Sequence, residues 1–130
     1  MIQIQNLSKS YNGIQVLNIP ELRIQKGESV GLVGNNGAGK TTLFSLILDL
    51  IQPDSGNVAL GGILVLGHDE WKKFTAAFVD ESFLIGYLSA EEYFYFLGEL
   101  RGMNKVDVDA VVAEYKEFFN DEVLNRKVYI

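Results

Sequence analysis

The sequence predicts an α/β fold: a phosphate-binding core with an antiparallel β portion at its N-terminus and the start of a helical segment towards its C-terminus. Three observations predict it. Residues 34 to 41 read Gly-Asn-Asn-Gly-Ala-Gly-Lys-Thr, the pattern G-x-x-x-x-G-K-[ST], between an apolar run and a helix-length run. The first twenty-four residues contain strand-like runs broken by Asn12-Gly13. Beyond residue 88 the pattern becomes helical, with Ser89 and Glu92 spaced as a capping box.

Taking the elements in order, Met1 to Leu7 alternates apolar and polar residues, the period of a half-buried strand. Ser8 to Gly13 holds a turn with the hairpin dipeptide Asn12-Gly13. Val16 to Ile24 is a second strand; Pro20 within it predicts an edge or a bulge, because proline has no N–H for the ladder. Lys26-Gly27-Glu28 is a turn. Ser29 to Val33 is a short, mostly apolar run suited to a buried strand leading into the loop.

In the loop, the glycines Gly34, Gly37 and Gly39 let the backbone curl until several N–H groups face one phosphate chain. Asn35, Asn36 and Ala38 complete the curve. Lys40 reaches the terminal phosphates, and the Thr41 hydroxyl can ligate Mg²⁺. A helix predicted over Thr41 to Leu50 turns its positive end towards the phosphates. The fold class is therefore that of a P-loop nucleotide-binding core, present in part.

Gln52 to Gly56 is a stop-and-turn signal, and Asn57 to Leu60 and Gly62 to Leu66 follow as short strands. Ala76 to Val79 is a brief apolar run ending in Asp80-Glu81. A helix starts after Ser89, carries Tyr93 to Leu97 and Leu100, and stops around Gly102. A second starts near Asp107 and carries Val108, Val111, Val112, Tyr115, Phe118 and Phe119 at helical spacing. Asn125 to Ile130 receive no assignment. The organisation expected is a nucleotide-binding core over 1–87, incomplete, and the start of a helical subdomain over 88–130.

Composition sets the limits. The 130 residues, 48% hydrophobic and 22% charged, are one domain's worth of globular chain. No apolar run approaches the roughly 20 residues needed to span a bilayer. Residues 1–20 are not a secretory signal. The absence of cysteine excludes disulfides and thiolate metal sites. Residues 1–68 carry four acids and four bases, whereas residues 69–130 carry thirteen and seven, so the net charge of −6 belongs to the second half. An acidic surface there argues against a nucleic-acid partner.

The run Leu7 to Tyr11, then Lys26-Gly27-Glu28, Gly34 to Leu43, and Pro53-Asp54-Ser55-Gly56, resembles the first half of an ATP-binding-cassette (ABC) transporter ATPase. Asn35 stands where that family often has proline or a similar residue. The resemblance implies ATP and Mg²⁺ as ligands. It also implies a second ATP-binding subunit with ATP at the interface, and a transmembrane permease subunit. The location implied is cytoplasmic, peripheral at the membrane's inner face. Tyr11 falls where the family stacks an aromatic ring on adenine. Thr42 would bond an inner phosphate. Glu81 falls near the family's glutamine-loop position, so a carboxylate stands where glutamine usually reaches Mg²⁺. His68 is not the family's switch histidine and reads as a surface residue.

Two alternatives compete. A soluble cassette ATPase of translation or DNA repair shares the same loop. A compact P-loop protein would read Ala76 to Glu81 as a Walker B strand, with Asp80 holding Mg²⁺ through water and Glu81 polarising the attacking water. The cassette resemblance also accounts for Tyr11 and for the turn at Pro53 to Gly56; the compact reading does not. The family's signature motif, Walker B glutamate and switch histidine do not occur in residues 1–130. The expectations are therefore nucleotide binding with little turnover, and exposed apolar faces and strand edges that favour self-association. The aromatic run Tyr93 to Phe96 has two readings, packing against the second helix or docking a partner.

Overall fold

Asn12 and Gly13 both adopt positive φ, 50° and 78°, as a two-residue hairpin turn requires. They join β1 (Ile2–Tyr11) to β2 (Ile14–Ile24) in an antiparallel pair. The computed structural model describes residues 1–118 and 121–126, with the side chains of 121 and 122 left out. The chain divides into two compact units, Met1–Val79 and Asp80–Ile130.

The first unit is a four-stranded antiparallel sheet of order β2-β1-β3-β4, where β3 is Ser55–Leu60 and β4 is Ile63–Leu64. A second positive-φ pair, Gly61-Gly62, closes the β3–β4 hairpin. β1 carries an irregularity against β3 between Gln5 and Ser8, with Asn6 at φ 47°. That bulge matters for the core. Ile4 and Leu7 are three apart and would point to opposite faces of a regular strand, yet both are fully buried. Pro20 lies on β2, the edge strand, where its missing N–H is tolerated.

Helix α1 (Lys40–Ile47) lays Leu43, Leu46 and Ile47 on this sheet. With Ile4, Leu7, Val58, Leu60, Val65 and Trp71 they form the core. Each such fully buried aliphatic side chain contributes roughly 1.5–3 kcal/mol. Trp71 belongs to a 3₁₀ turn, Glu70–Phe74, and its ring N–H donates to the Val65 carbonyl at 3.2 Å. The helix ends three residues before its expected limit. Asp49 takes φ 55°, and the Leu50 N–H closes back on the Ser45 carbonyl at 2.8 Å.

Two strand expectations are corrected here, Ser29 to Val33 and the extent of Gly62 to Leu66, and Ala76 to Val79 does not form the strand that the compact alternative requires. Ser29 to Val33 is not a strand; Val30 is 61% and Val33 95% exposed. Ala76 to Val79 is likewise outside any sheet, with Phe78 exposed. Both are apolar runs suited to burial on two faces of a parallel sheet. The four strands present make an antiparallel sheet, and among the described residues none pairs with either run. The strand expected over Gly62 to Leu66 is formed only at Ile63–Leu64.

In the second unit, α2 (Ala90–Leu100) begins with the expected capping box. The Ser89 hydroxyl accepts from the Glu92 N–H, and the Glu92 carboxylate accepts from the Ser89 N–H. It ends at Gly102, φ 73°, with the Met103 and Gly102 N–H groups donating to the Gly98 and Glu99 carbonyls at 2.9 Å. A second capping box, Asn104 with Asp107, starts α3 (Lys105–Glu114) two residues before the expected position. A short α4 (Asp121–Asn125) follows.

Of the apolar stripe expected on α3, only Val108 is buried; Val111 is exposed within the helix, and Tyr115 and Phe118 are exposed beyond its end at Glu114. Phe119 and residues 127–130 lie outside the described residues. Gly98 is buried where α2 meets α3, and a Cβ there would lie 2.3 Å from Val108 Cγ2. Tyr95 donates its hydroxyl to Asp109 at 2.7 Å, and the carboxylate beside it pushes the phenol up to about 12. Packing between the two helices thus takes up part of the aromatic run, while Phe96 stays exposed.

Candidate functional site

The candidate site lies at the N-terminal end of α1, within the first unit. Gly39 is the helix N-cap, in the left-handed region at φ 84°, and no side chain caps the helix. The Leu43 N–H makes the first bond of the helix, to the Gly39 carbonyl at 2.9 Å. Within the loop the Ala38 N–H bonds the Asn35 carbonyl at 3.1 Å. Among the described residues, none accepts from the N–H groups of Gly37, Gly39, Lys40, Thr41 or Thr42. This is a row of adjacent donors at the positive end of a helix, a geometry that suits a polyanion.

Gly39 also locates the loop. A Cβ there would sit 2.6 Å from the Val16 carbonyl oxygen and 3.5 Å from Leu17 Cδ1. Only glycine lets the loop backbone approach β2 this closely. Val16 is available because the β1–β2 register slips between Lys9 and Ser10: Lys9 pairs with Leu17, and Ser10 with Gln15. The phosphate loop therefore rests beside the end of the hairpin that carries Tyr11. Gly37 has a similar φ, 83°, but open space around it. At Gly34 the neighbour is Ala38 Cβ, 3.2 Å from an added Cβ.

Lys40 folds over the loop, its Nζ donating to the Gly34 carbonyl at 2.5 Å and the Asn35 carbonyl at 2.7 Å. Its ammonium thus already lies at the mouth of the cradle. Thr41 is exposed, and Thr42 is half-buried. Asn35 and Asn36 are exposed on the loop. Tyr11 is 46% exposed, with Lys9 Nζ 5.5 Å from its ring centroid. The structure thus brings the predicted residues of the first unit to one end of the sheet.

Asp80 and Glu81 belong to the second unit. Asp80 caps a 3₁₀ turn, Glu81–Phe83, by accepting from the N–H and hydroxyl of Ser82; these bonds hold its carboxyl below the usual range. Glu81 is exposed. His68 is exposed, with its Nδ1 3.9 Å from a Glu70 carboxylate oxygen. Among the described residues, no group of three or more His, Asp or Glu side chains could hold a metal ion. Mg²⁺ here would need phosphate oxygens beside the Thr41 hydroxyl.

The sequence marks Pro53 to Gly56 as a turn and as part of the cassette resemblance, but gives Asp54 no role. In the structure the Asp54 carboxylate accepts the Ser10 N–H at 2.6 Å and pairs with Lys9 at 3.3 Å. The backbone bond from Ser10 and the Lys9 ammonium hold the Asp54 carboxyl below its usual value. Lys9 also donates to the Gln52 carbonyl at 2.8 Å. An acidic residue in a turn and a lysine two residues before the aromatic are the available signals for this contact.

Fold and loop together define a protein of the P-loop class. A family model described as ABC transporter matches residues 17–129, and the chain belongs to that family. It is 33% identical over 119 residues to the linearmycin resistance ATP-binding protein LnrL of Bacillus subtilis (strain 168), covering 91% of this chain and 38% of that protein. It is 36% identical over 113 residues to the lipoprotein-releasing system ATP-binding protein LolD of Bacteroides thetaiotaomicron, covering 87% and 49%. The fold superposes on the ATP-binding cassette MJ0796, a dimeric post-hydrolysis state bound to ADP and Pi. The TM-score is 0.80 and the identity 25%, over 98% of this chain and 61% of that one. The chain thus spans half or less of the length of these two relatives. Membership in the cassette family decides against the compact P-loop alternative.

Proposed function

We propose that this chain is the ATP-binding portion of an ABC transporter ATPase subunit, which couples ATP binding and hydrolysis to transport across a membrane. The observation that carries this reading is the set of N–H groups of Gly37 and of Gly39 to Thr42 that find no acceptor among the described residues at the start of α1. In it, residues Gly34 to Thr42 cradle the phosphates of ATP, and Lys40 neutralises the terminal ones. Thr41 gives its hydroxyl to Mg²⁺, and Thr42 bonds an inner phosphate. Tyr11 stacks on the adenine ring. Glu81 takes the glutamine-loop role at the metal. ATP and Mg²⁺ supply the reacting phosphate and its charge compensation; the residues here bind and orient them.

The partners proposed are a second ATP-binding subunit, with ATP between the two, and a membrane-embedded permease. The dimeric state of the MJ0796 cassette supports the first, and the transport-linked names of LnrL and LolD support the second. Among the described residues, no helix is long and apolar enough to cross a membrane. In this reading the chain is cytoplasmic and attaches to the membrane's inner face through the permease. Residues 1–87 serve as the nucleotide-binding core, and residues 88–130 begin the helical subdomain.

Titration of the 130-residue chain with MgATP tests the reading. Saturable binding is expected, weakened about tenfold to a hundredfold by Lys40→Ala, the range for one or two charge-assisted bonds. ATP binding indifferent to Lys40→Ala sinks the site assignment. Turnover by these residues alone is expected to be very slow. A rate in the usual ATPase range, lost in Lys40→Ala, would overturn that part.

A further inference from the structure

β1 ends in Lys9-Ser10-Tyr11, and four hydrogen bonds fasten this end to the turn after α1. The Ser10 N–H donates to Asp54 Oδ2 at 2.6 Å. Lys9 Nζ donates to Asp54 Oδ1 at 3.3 Å and to the Gln52 carbonyl at 2.8 Å. The Asp54 N–H returns to the Ser8 carbonyl at 2.9 Å. Lys9 and Tyr11 are two residues apart and share a face of the strand. The lysine side chain is only 18% exposed, so its ammonium is held in place and covers one face of the Tyr11 ring, 5.5 Å from the centroid.

We propose that Lys9 and Asp54 are positioning residues for base stacking: they fix the Tyr11 ring, with Lys9 on one face and the other face offered to the nucleobase. The proposal rests on the reading of Tyr11 as the adenine-stacking residue. An unsupported tyrosine at the tip of a two-residue hairpin loses rotamer freedom each time a base lands on it. A ring already fixed by a cation on one face does not. Beside this contact, the slip between Lys9 and Ser10 leaves Val16 out of the pairing and facing Gly39. The same strut therefore sets the ring beside the phosphate loop, and ring and loop address one ligand.

The test compares two probes, MgATP and magnesium tripolyphosphate, which carries the phosphates without a base. Binding of each is measured by calorimetry to the wild-type chain, Tyr11→Ala, Asp54→Asn, Lys9→Met and the double variant Tyr11→Ala/Asp54→Asn. Tyr11→Ala is expected to weaken ATP about threefold to tenfold and leave tripolyphosphate unchanged. Asp54→Asn and Lys9→Met are each expected to weaken ATP about threefold, spare tripolyphosphate, and add nothing once Tyr11 is gone. The two variants change the net charge in opposite directions, so a shared loss confined to ATP is not long-range electrostatics. If Tyr11→Ala leaves ATP unaffected, the stacking reading fails and the proposal with it. If Tyr11→Ala acts and the other two do not, positioning alone is refuted. A loss of both ATP and tripolyphosphate in Asp54→Asn marks a general structural role and also refutes it; tripolyphosphate binding equal to wild type is the control for folding.

Discussion

Gly37 and Gly39 form a matched pair two residues apart in the phosphate loop. Their φ angles are nearly the same, 83° and 84°, so alanine at either meets the same left-handed backbone cost of about 1–2 kcal/mol. Their surroundings differ. An added Cβ meets nothing within 4 Å at Gly37 but lies 2.6 Å from the Val16 carbonyl oxygen at Gly39. That oxygen is main chain, held by its neighbour Leu17 in the ladder with Lys9, so it cannot rotate aside as a side chain would. Relieving the contact means moving the helix start or the strand, and overpacking of this kind costs about 1–3 kcal/mol. Gly37→Ala should therefore destabilise the chain by about 1–2 kcal/mol and Gly39→Ala by about 2–5 kcal/mol. Equilibrium urea unfolding followed by far-ultraviolet circular dichroism reads both. Equal losses in the two variants would show that the loop does not rest on β2. The proximity of the phosphate cradle to Tyr11 would then be lost as well.

Gly98→Ala sets a helix-propensity gain of roughly 0.8–1 kcal/mol against a methyl 2.3 Å from Val108 Cγ2, and should destabilise by up to about 2 kcal/mol. In a Val108→Ala background the nearest atoms are Met103 Cβ at 3.6 Å and the residue 108 Cβ at 3.8 Å, so the same change should turn stabilising; additivity in urea unfolding would refute this contact. Tyr95 should ionise near pH 12, read as the near-ultraviolet absorbance step that Tyr95→Phe removes, and Asp109→Asn should bring it back towards 10. Because its folded value is raised, its stabilising contribution is complete below pH 10 and is lost as pH rises through about 12; a Tyr95→Phe chain with unchanged alkaline stability would contradict this.

What the sequence made legible follows the reach of each signal. Turn and cap chemistry acts over two to five residues, so Asn12-Gly13, the Ser89–Glu92 capping box and the Gly102 stop stand where local rules put them. The phosphate loop was legible for the same reason: its glycines and Lys40 act on backbone within the loop itself. Strand pairing is a different matter. Ser29 to Val33 and Ala76 to Val79 have the composition of buried strands, but composition does not supply a neighbour, and no strand among the described residues pairs with them. The bulge at Asn6 escaped notice because alternation predicts Ile4 and Leu7 on opposite faces, and one extra residue reverses that.

The contacts that build the candidate site beyond the loop are of this second, long-range kind. Asp54 meets Ser10 across forty-four residues, and its charge in a turn reads from the sequence as ordinary solubility. Gly39 is legible as a loop glycine, yet its need for β2 is not, because the atom it must avoid is a main-chain oxygen with no residue signature. The motif thus points to a ligand class through groups that the sequence displays, while the placement of the loop against β2 is set by backbone register. A one-residue change in the β1–β2 pairing would keep every motif residue intact. It would still turn Val16 away from Gly39, and that is why register, which the motif leaves open, decides where the loop rests.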